Sequence, residues 1–190
     1  MRMKILIAVL ASICLIYSFS TLGANMFGWF KKQPVQLSSE VRGRILDNGK
    51  PVIGQVISRR LIYVDEKVHL DQTVTDNKGG FYFPEKIIMS TIPSKPLVED
   101  NVVQHIYINY TNTKETKDNK ITLWKSYKLG NKEIKEYTDK LSLLNCDINE
   151  KQVSFEFISD RNYEYRAASI CRWGKNFRMT MLFEGERIFL

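Results

Sequence analysis

Residues 41–56 read Val-Arg-Gly-Arg-Ile-Leu-Asp-Asn-Gly-Lys-Pro-Val-Ile-Gly-Gln-Val, and residues 75–83 read Thr-Asp-Asn-Lys-Gly-Gly-Phe-Tyr-Phe. Leading into the first stretch, Val35, Leu37, Val41 and Ile45 alternate with Gln36, Ser38, Glu40, Arg42 and Arg44. An apolar period of two with a polar opposite face predicts a half-buried strand. Asp47-Asn48-Gly49 ends it, and Asn-Gly tolerates the positive φ that a tight hairpin requires. A second strand is predicted over about 52–64. Pro51 has no N–H to give to a ladder, so it belongs at the strand start or on an edge.

Working outward, Leu70, Gln72 and Val74 mark a third strand, closed by the turn 75–80, where Asp and Asn side chains bond to backbone and glycines take left-handed conformations. Phe81 and Phe83 then point one way and Tyr82 the other, until Pro84 stops the strand. The proline-bearing stretch 85–100 reads as a covering loop with a short extended piece at 87–89. Further strands are expected at 102–110, 121–129, 153–158 and 176–183, with 111–120 as an exposed polar hairpin loop. Ile134, Tyr137, Leu141 and Leu144 fit one face of a short helix within 133–144, and 143–148 reads as extended. Short strands separated by turn signals predict a mainly β chain, an antiparallel β-sandwich with one short helix. The expected organisation is a signal or anchor segment at 1–24, a linker at 25–34 and one sandwich domain at 35–190.

Arg2 and Lys4 precede an apolar run over 5–19, and Ser20-Thr21-Leu22-Gly23-Ala24 forms a small-residue exit. That order predicts a secretory signal peptide cleaved after Ala24 and a periplasmic or secreted protein. The alternative is an uncleaved inner-membrane anchor over 5–24, since no charge interrupts the run and about 20 apolar residues span a bilayer. Met26 as the true start is a third reading. Membrane contact is expected only through this segment, if uncleaved.

Lys and Arg number 28 against 21 Asp and Glu. Removal of 1–24 takes two cations and no carboxylate, leaving 26 against 21. The excess is interspersed with acids along the chain, and no nucleic-acid partner is expected from it. Once 1–24 is gone, only Cys146 and Cys171 remain, an even pair in an oxidising space, which predicts a disulfide. Three cysteines and two histidines leave little material for a metal site, and no metal or cofactor is expected.

The two stretches quoted at the outset resemble the signatures of carboxypeptidase regulatory-like, or transthyretin-like, domains: Val41 to Ile45 with Asn48 to Val56, then Thr-Asp-x-x-Gly-x-Phe-x-Phe, which covers Thr75 to Phe83 here. The chain is also similar to a group of small bacterial proteins carrying Met-Phe-Gly-x-Phe-Lys-Lys, Leu-Asn-Cys-Asp and Ile-Cys-Arg-Trp, here near 26–32, 144–147 and 170–173. The resemblance implies a prealbumin-like sandwich and no activity. A transthyretin-like branch of 5-hydroxyisourate hydrolases ends in Tyr-Arg-Gly-Ser; this chain ends Glu-Arg-Ile-Phe-Leu.

No nucleophile elbow, His-Glu-x-x-His or phosphate-cradling loop occurs. His69 and His105 would need to converge with a carboxylate to hold a metal. The chain therefore reads as a non-enzyme, an exported protein-binding module of the bacterial envelope whose partner is another envelope protein. One alternative is an immunity-type protein that neutralises a toxin delivered to the periplasm. Another is a carbohydrate-binding or hydrolytic envelope domain. Trp124, Trp173, Tyr107 and Tyr127 are large aromatics suited to an interface or a core. The polar, aromatic segment 160–166 supplies the candidate partner-binding residues Arg161, Tyr163, Tyr165 and Arg166.

Overall fold

In the computed structural model, which describes residues 31–64, 67–95, 97–110, 120–129, 134–158 and 164–173, Asn48 and Gly49 take φ of 49° and 78°. The chain thereby reverses between β2 (Val41–Asp47) and β3 (Lys50–Pro51), setting Asp47 opposite Lys50. Asp147 clamps the turn, its carboxylate accepting from the backbone N–H of Asn48, at 3.3 Å, and of Gly49, at 2.9 Å. The second signature also folds locally: Asp76 Oδ1 accepts from the N–H of Lys78 and Gly80, each at 2.8 Å, and Gly79 sits at φ 75°. The Gly79 carbonyl then accepts from Ile45 N–H at 2.9 Å, tying this turn to β2.

The remaining strands are β1 (Gln33–Ser38), β4 (Val56–Tyr63), β5 (Val68–Val74), β6 (Gly80–Phe83), β7 (Lys86–Ser90), β8 (Asn101–Asn109), β9 (Lys120–Leu129), β10 (Leu144–Asp147), β11 (Val153–Ile158), β12 (Glu164–Ser169) and β13 (Cys171–Arg172). A helix, α1 (Lys135–Leu141), precedes β10. Among the described residues, one sheet has the order β13-β10-β2-β3 with β6 also on β2, a second has β11-β12-β9-β8-β4-β5, and β1 pairs with β7. The chain is a mainly β sandwich. Val41, Ile45, Phe81 and Phe83 from the first sheet share a core with Ile57, Ile106, Ile108 and Trp124 from the second. Tyr137 and Leu141 of α1 close it, as their helical spacing predicts.

Several boundaries differ from expectation, each for a local reason. The strand predicted over 52–64 starts only at Val56, because Gly54 (φ 70°) bends the chain and bonds to Thr75 O instead. The stretch 85–100 holds a full strand, β7, and a 3-10 turn (Ile92–Ser94) with Pro93 near its start. The helix stops at Leu141, and Leu144 enters β10 rather than ending the helical face. β10 runs parallel to β2, with Cys146 beside Ile45, so the sandwich is not wholly antiparallel. The predicted strand at 176–183 and the loop 111–119 lie outside the described residues.

Chain contacts divide the protein into two units, 1–34 with 89–98, and 35–88 with 99–190. In the first, Gln33 Nε2 donates to Ser94 Oγ at 3.0 Å, and that hydroxyl donates to Lys31 O at 2.7 Å. The second holds the core described above and a polar chain buried within it. Arg59, only 1% exposed, donates to Asp71 Oδ2 at 2.7 Å and to Pro84 O at 2.8 Å, and lies 4.8 Å above the Phe83 ring. Burial pushes the Asp71 carboxyl up, but Arg59 and Lys86 more than offset this and hold it below its ordinary value. Gln104 donates to Ser38 Oγ at 3.0 Å and accepts from the Tyr137 hydroxyl at 3.0 Å. Ser126 Oγ meets that hydroxyl at 2.7 Å and accepts from Trp124 Nε1 at 3.0 Å. Burial pushes the Tyr137 phenol up to about 12, so it stays a donor. Buried polar groups satisfied in this way specify one arrangement of the core.

Candidate functional site

The register of the six-stranded sheet decides what its outward face presents. Arg60 of β4 stands opposite His105 of β8, and His105 stands opposite Lys125 of β9. The same row continues to Leu70 of β5 on one side and Ala168 of β12 on the other. The neighbouring row runs Val68, Ile62, Val103, Tyr127, Arg166 and Glu156. Alternation turns these side chains to the face opposite Ile57, Arg59, Leu61, Gln104 and Ile106, although Ala168 is itself buried there. His105 shares a face with Val103, Tyr107 and Asn109.

His105 is the electrostatic centre of this face. Its Nε2 lies 2.9 Å from Thr122 Oγ1, and its ring is 4.9 Å from that of Tyr107. Lys120 Nζ stands 3.7 Å above the same Tyr107 ring, a cation–π contact. Burial, then Lys120, Lys125 and Arg60, lower the imidazole from 6.5 to about 4, so it is neutral at neutral pH. Because the unfolded chain takes its proton first, the fold loses stability as pH falls from 6.5 towards 4 and gains it back as pH rises. The wild-type protein is expected to lose about 1–2 kcal/mol more than His105→Gln across that interval, solvent at the half-exposed ring holding the figure down. Denaturant titrations at several pH values check this; superimposable pH curves for the two proteins would refute it.

Among the described residues β5 ends the sheet, with regular pairing to β4 along its length. Val68, Leu70 and Val74 are 47%, 55% and 55% exposed, and Val56 beside them 45%. Edge strands are ordinarily guarded by lysine, proline or a bulge; this one carries none within Val68–Val74, and its single carboxylate, Asp71, is held by Arg59 and Lys86.

The predicted site residues fare unevenly. Tyr165 is wholly buried, its ring 5.6 Å from that of Tyr137, so the core takes it and no partner can reach it from the surface. That corrects its assignment as a contact residue: alternation along β12 sends Tyr165 inward and Arg166 outward. Arg166 is exposed and pairs with Glu156 at 3.3 Å. Arg161 and Tyr163 lie outside the described residues. Trp124 is buried too, with Trp173 packed edge-on to it at 6.0 Å. His69 and His105 occupy opposite faces of one sheet, so the two histidines do not converge. Among the described residues no group of three or more His, Cys, Asp or Glu is placed to hold a metal ion. No helix among them is long and apolar enough to cross a membrane, and the segment 1–30 lies outside them. Arg60 and Lys125 went unnoticed in the sequence, where they are 65 residues apart; only strand pairing brings them to one row.

No curated protein and no solved structure matches this sequence. A family profile described as "Domain of unknown function (DUF6795)" matches residues 41–151. The match begins with β2 and runs through β10, taking in both turn signatures, the row from Arg60 to Lys125 and the first of the two cysteines. It covers more than half of the chain's 190 residues, and the protein therefore belongs to the DUF6795 family.

Proposed function

We propose that this protein is a non-enzymatic, exported protein-binding module of the bacterial envelope, built on a prealbumin-like sandwich and acting through the outer face and β5 edge of its six-stranded sheet. The observation that carries this reading is the edge left open among the described residues: four aliphatic side chains, Val56, Val68, Leu70 and Val74, stand 45–55% exposed on and beside a regular strand. Contiguous apolar exposure of this kind marks interaction surfaces, and an open strand edge gains backbone hydrogen bonds from a partner. Export is supported by the basic, apolar and small-residue order of 1–24 and by the Cys146–Cys171 bond, which persists in oxidising compartments.

Affinity capture with the tagged full chain, expressed in its native envelope, tests the proposal. A stoichiometric protein partner is expected. It should be lost with Leu70→Lys, which places a charge on the edge, and retained with Arg42→Gln on the other sheet. Recovery of no stoichiometric partner, or equal recovery with Leu70→Lys, would overturn it.

A further inference from the structure

Asn48-Gly49 is the one place in the sequence where a glycine follows an asparagine. The pair is chemically labile, because the glycine nitrogen carries no neighbouring side chain to keep it from the amide before it. Losing its proton, the Gly49 nitrogen attacks Asn48 Cγ; a C–N bond forms, the Cγ–Nδ2 bond breaks, and ammonia leaves behind a cyclic succinimide. Water then opens either carbonyl of that ring, giving aspartate or isoaspartate at position 48. The isoaspartate form routes the backbone through an added carbon. A hairpin that sets Asp47 directly opposite Lys50 has no slack to absorb it.

The fold restrains both reacting groups. Gly49 N–H donates to Asp147 Oδ2 at 2.9 Å, so the nucleophile faces a carboxylate that opposes loss of its proton. The Asn48 side chain is tethered elsewhere, its Nδ2 donating to Asp47 Oδ1 at 3.0 Å. Asn48 N–H donates to Asp147 Oδ1 at 3.3 Å, which fixes the peptide between the two carboxylates. Asp147 is itself anchored. It ends β10, opposite Leu46 of β2, and follows the disulfide-bonded Cys146. Its Oδ1 also accepts from Asn149, from the N–H at 3.1 Å and from Nδ2 at 3.0 Å. Burial pushes the Asp147 carboxyl up, but the N–H groups of Gly49 and Asn149 outweigh it and hold it below its ordinary value, so the clamp is charged at neutral pH.

We infer that Asn48 is this chain's site of spontaneous backbone modification, and that Asp147, 99 residues further on, restrains it for as long as β10 is seated on β2. Release of β10 frees the Gly49 nitrogen and commits the hairpin to an irreversible change. The carboxylate so formed at position 48 stands beside Asp47 Oδ1, where Nδ2 now donates, and attraction becomes repulsion.

The full chain, incubated in warm, mildly alkaline buffer and sampled over time, tests this. Peptide mapping by mass spectrometry reads the gain of about 1 Da as NH2 gives way to OH, and isoaspartyl methyltransferase labelling reads the rearranged backbone. In guanidinium chloride the wild-type chain should be modified fastest at Asn48. The native chain should be slower by about tenfold to a hundredfold, the rate equivalent of a hydrogen bond to a charged acceptor. Native Asp147→Ala should recover most of that difference. Asn149→Ala, which leaves Gly49 N–H on Asp147 Oδ2, should stay slow. Melting curves give the unfolded fraction of each variant. If Asp147→Ala fails to fold, Asp147→Asn, which keeps an acceptor but loses the charge, decides the matter through a smaller acceleration. Equal rates in native and denatured wild type, or in native wild type and the folded Asp147 variant, would overturn the inference. So would faster modification of another asparagine in the native chain, or an acceleration no larger than the variant's unfolded fraction accounts for.

Discussion

Phe81→Ala should lower the unfolding free energy by about 3–5 kcal/mol, on the order of 10 °C in melting temperature for a chain of this size. Phe81 stands opposite Gly43 in the β2–β6 ladder, and its ring occupies the space that a side chain at position 43 would need. That space is also bounded by the Leu144 carbonyl of β10, so two strands and a ring meet there with no room to close in. The ring packs edge-on against Phe83 at 6.2 Å and is only 7% exposed. Alanine therefore removes apolar contact and leaves a cavity walled by backbone, which collapses less readily than one walled by side chains. Chemical denaturation measures the loss; a change below about 1 kcal/mol would show that Phe81 is not a core anchor.

Breaking the Cys146–Cys171 bond should cost roughly 3 kcal/mol. The two cysteines are 25 residues apart and face each other in the β10–β13 ladder, both fully buried. In the chain-entropy account, the bond acts by closing a loop of that length in the unfolded state. It also fastens β13, a strand of two residues, to the parallel β10–β2 pair. The double variant Cys146→Ala/Cys171→Ala keeps both positions apolar, so its denaturation midpoint reports the bond without adding buried hydroxyls. Intact mass under non-reducing conditions should fall two hydrogens below that of the reduced chain. Ready alkylation of both thiols without reductant would contradict the bond.

These expectations draw on different kinds of legibility. Phe81 and Phe83 were readable as core because a period of two beside a Gly-rich turn leaves them one inward face. The disulfide followed from counting cysteines once 1–24 is set aside. The candidate site was far less legible. Tyr165 reads like an interface aromatic in a polar segment, yet one position of alternation along β12 sends it into the core. Arg59 looks from its neighbours like half of a basic pair with Arg60, but the pleat buries the first and leaves the second half-buried on the opposite face.

What the amino-acid sequence determined alone is whatever depends on residues within a few positions of one another. That includes the left-handed φ of Asn48 and Gly49, the Asp76 side chain closing its own turn, and the helical spacing of Tyr137 and Leu141. Only the tertiary structure decided the parallel seating of β10 on β2 and the alignment of Arg60, His105 and Lys125 across three strands. The reason is physical: turns and helices are closed by hydrogen bonds between near neighbours, whose identities the local chain states outright. Register between strands is set by the whole core at once, and a shift of a single residue would exchange every inward side chain for its outward neighbour.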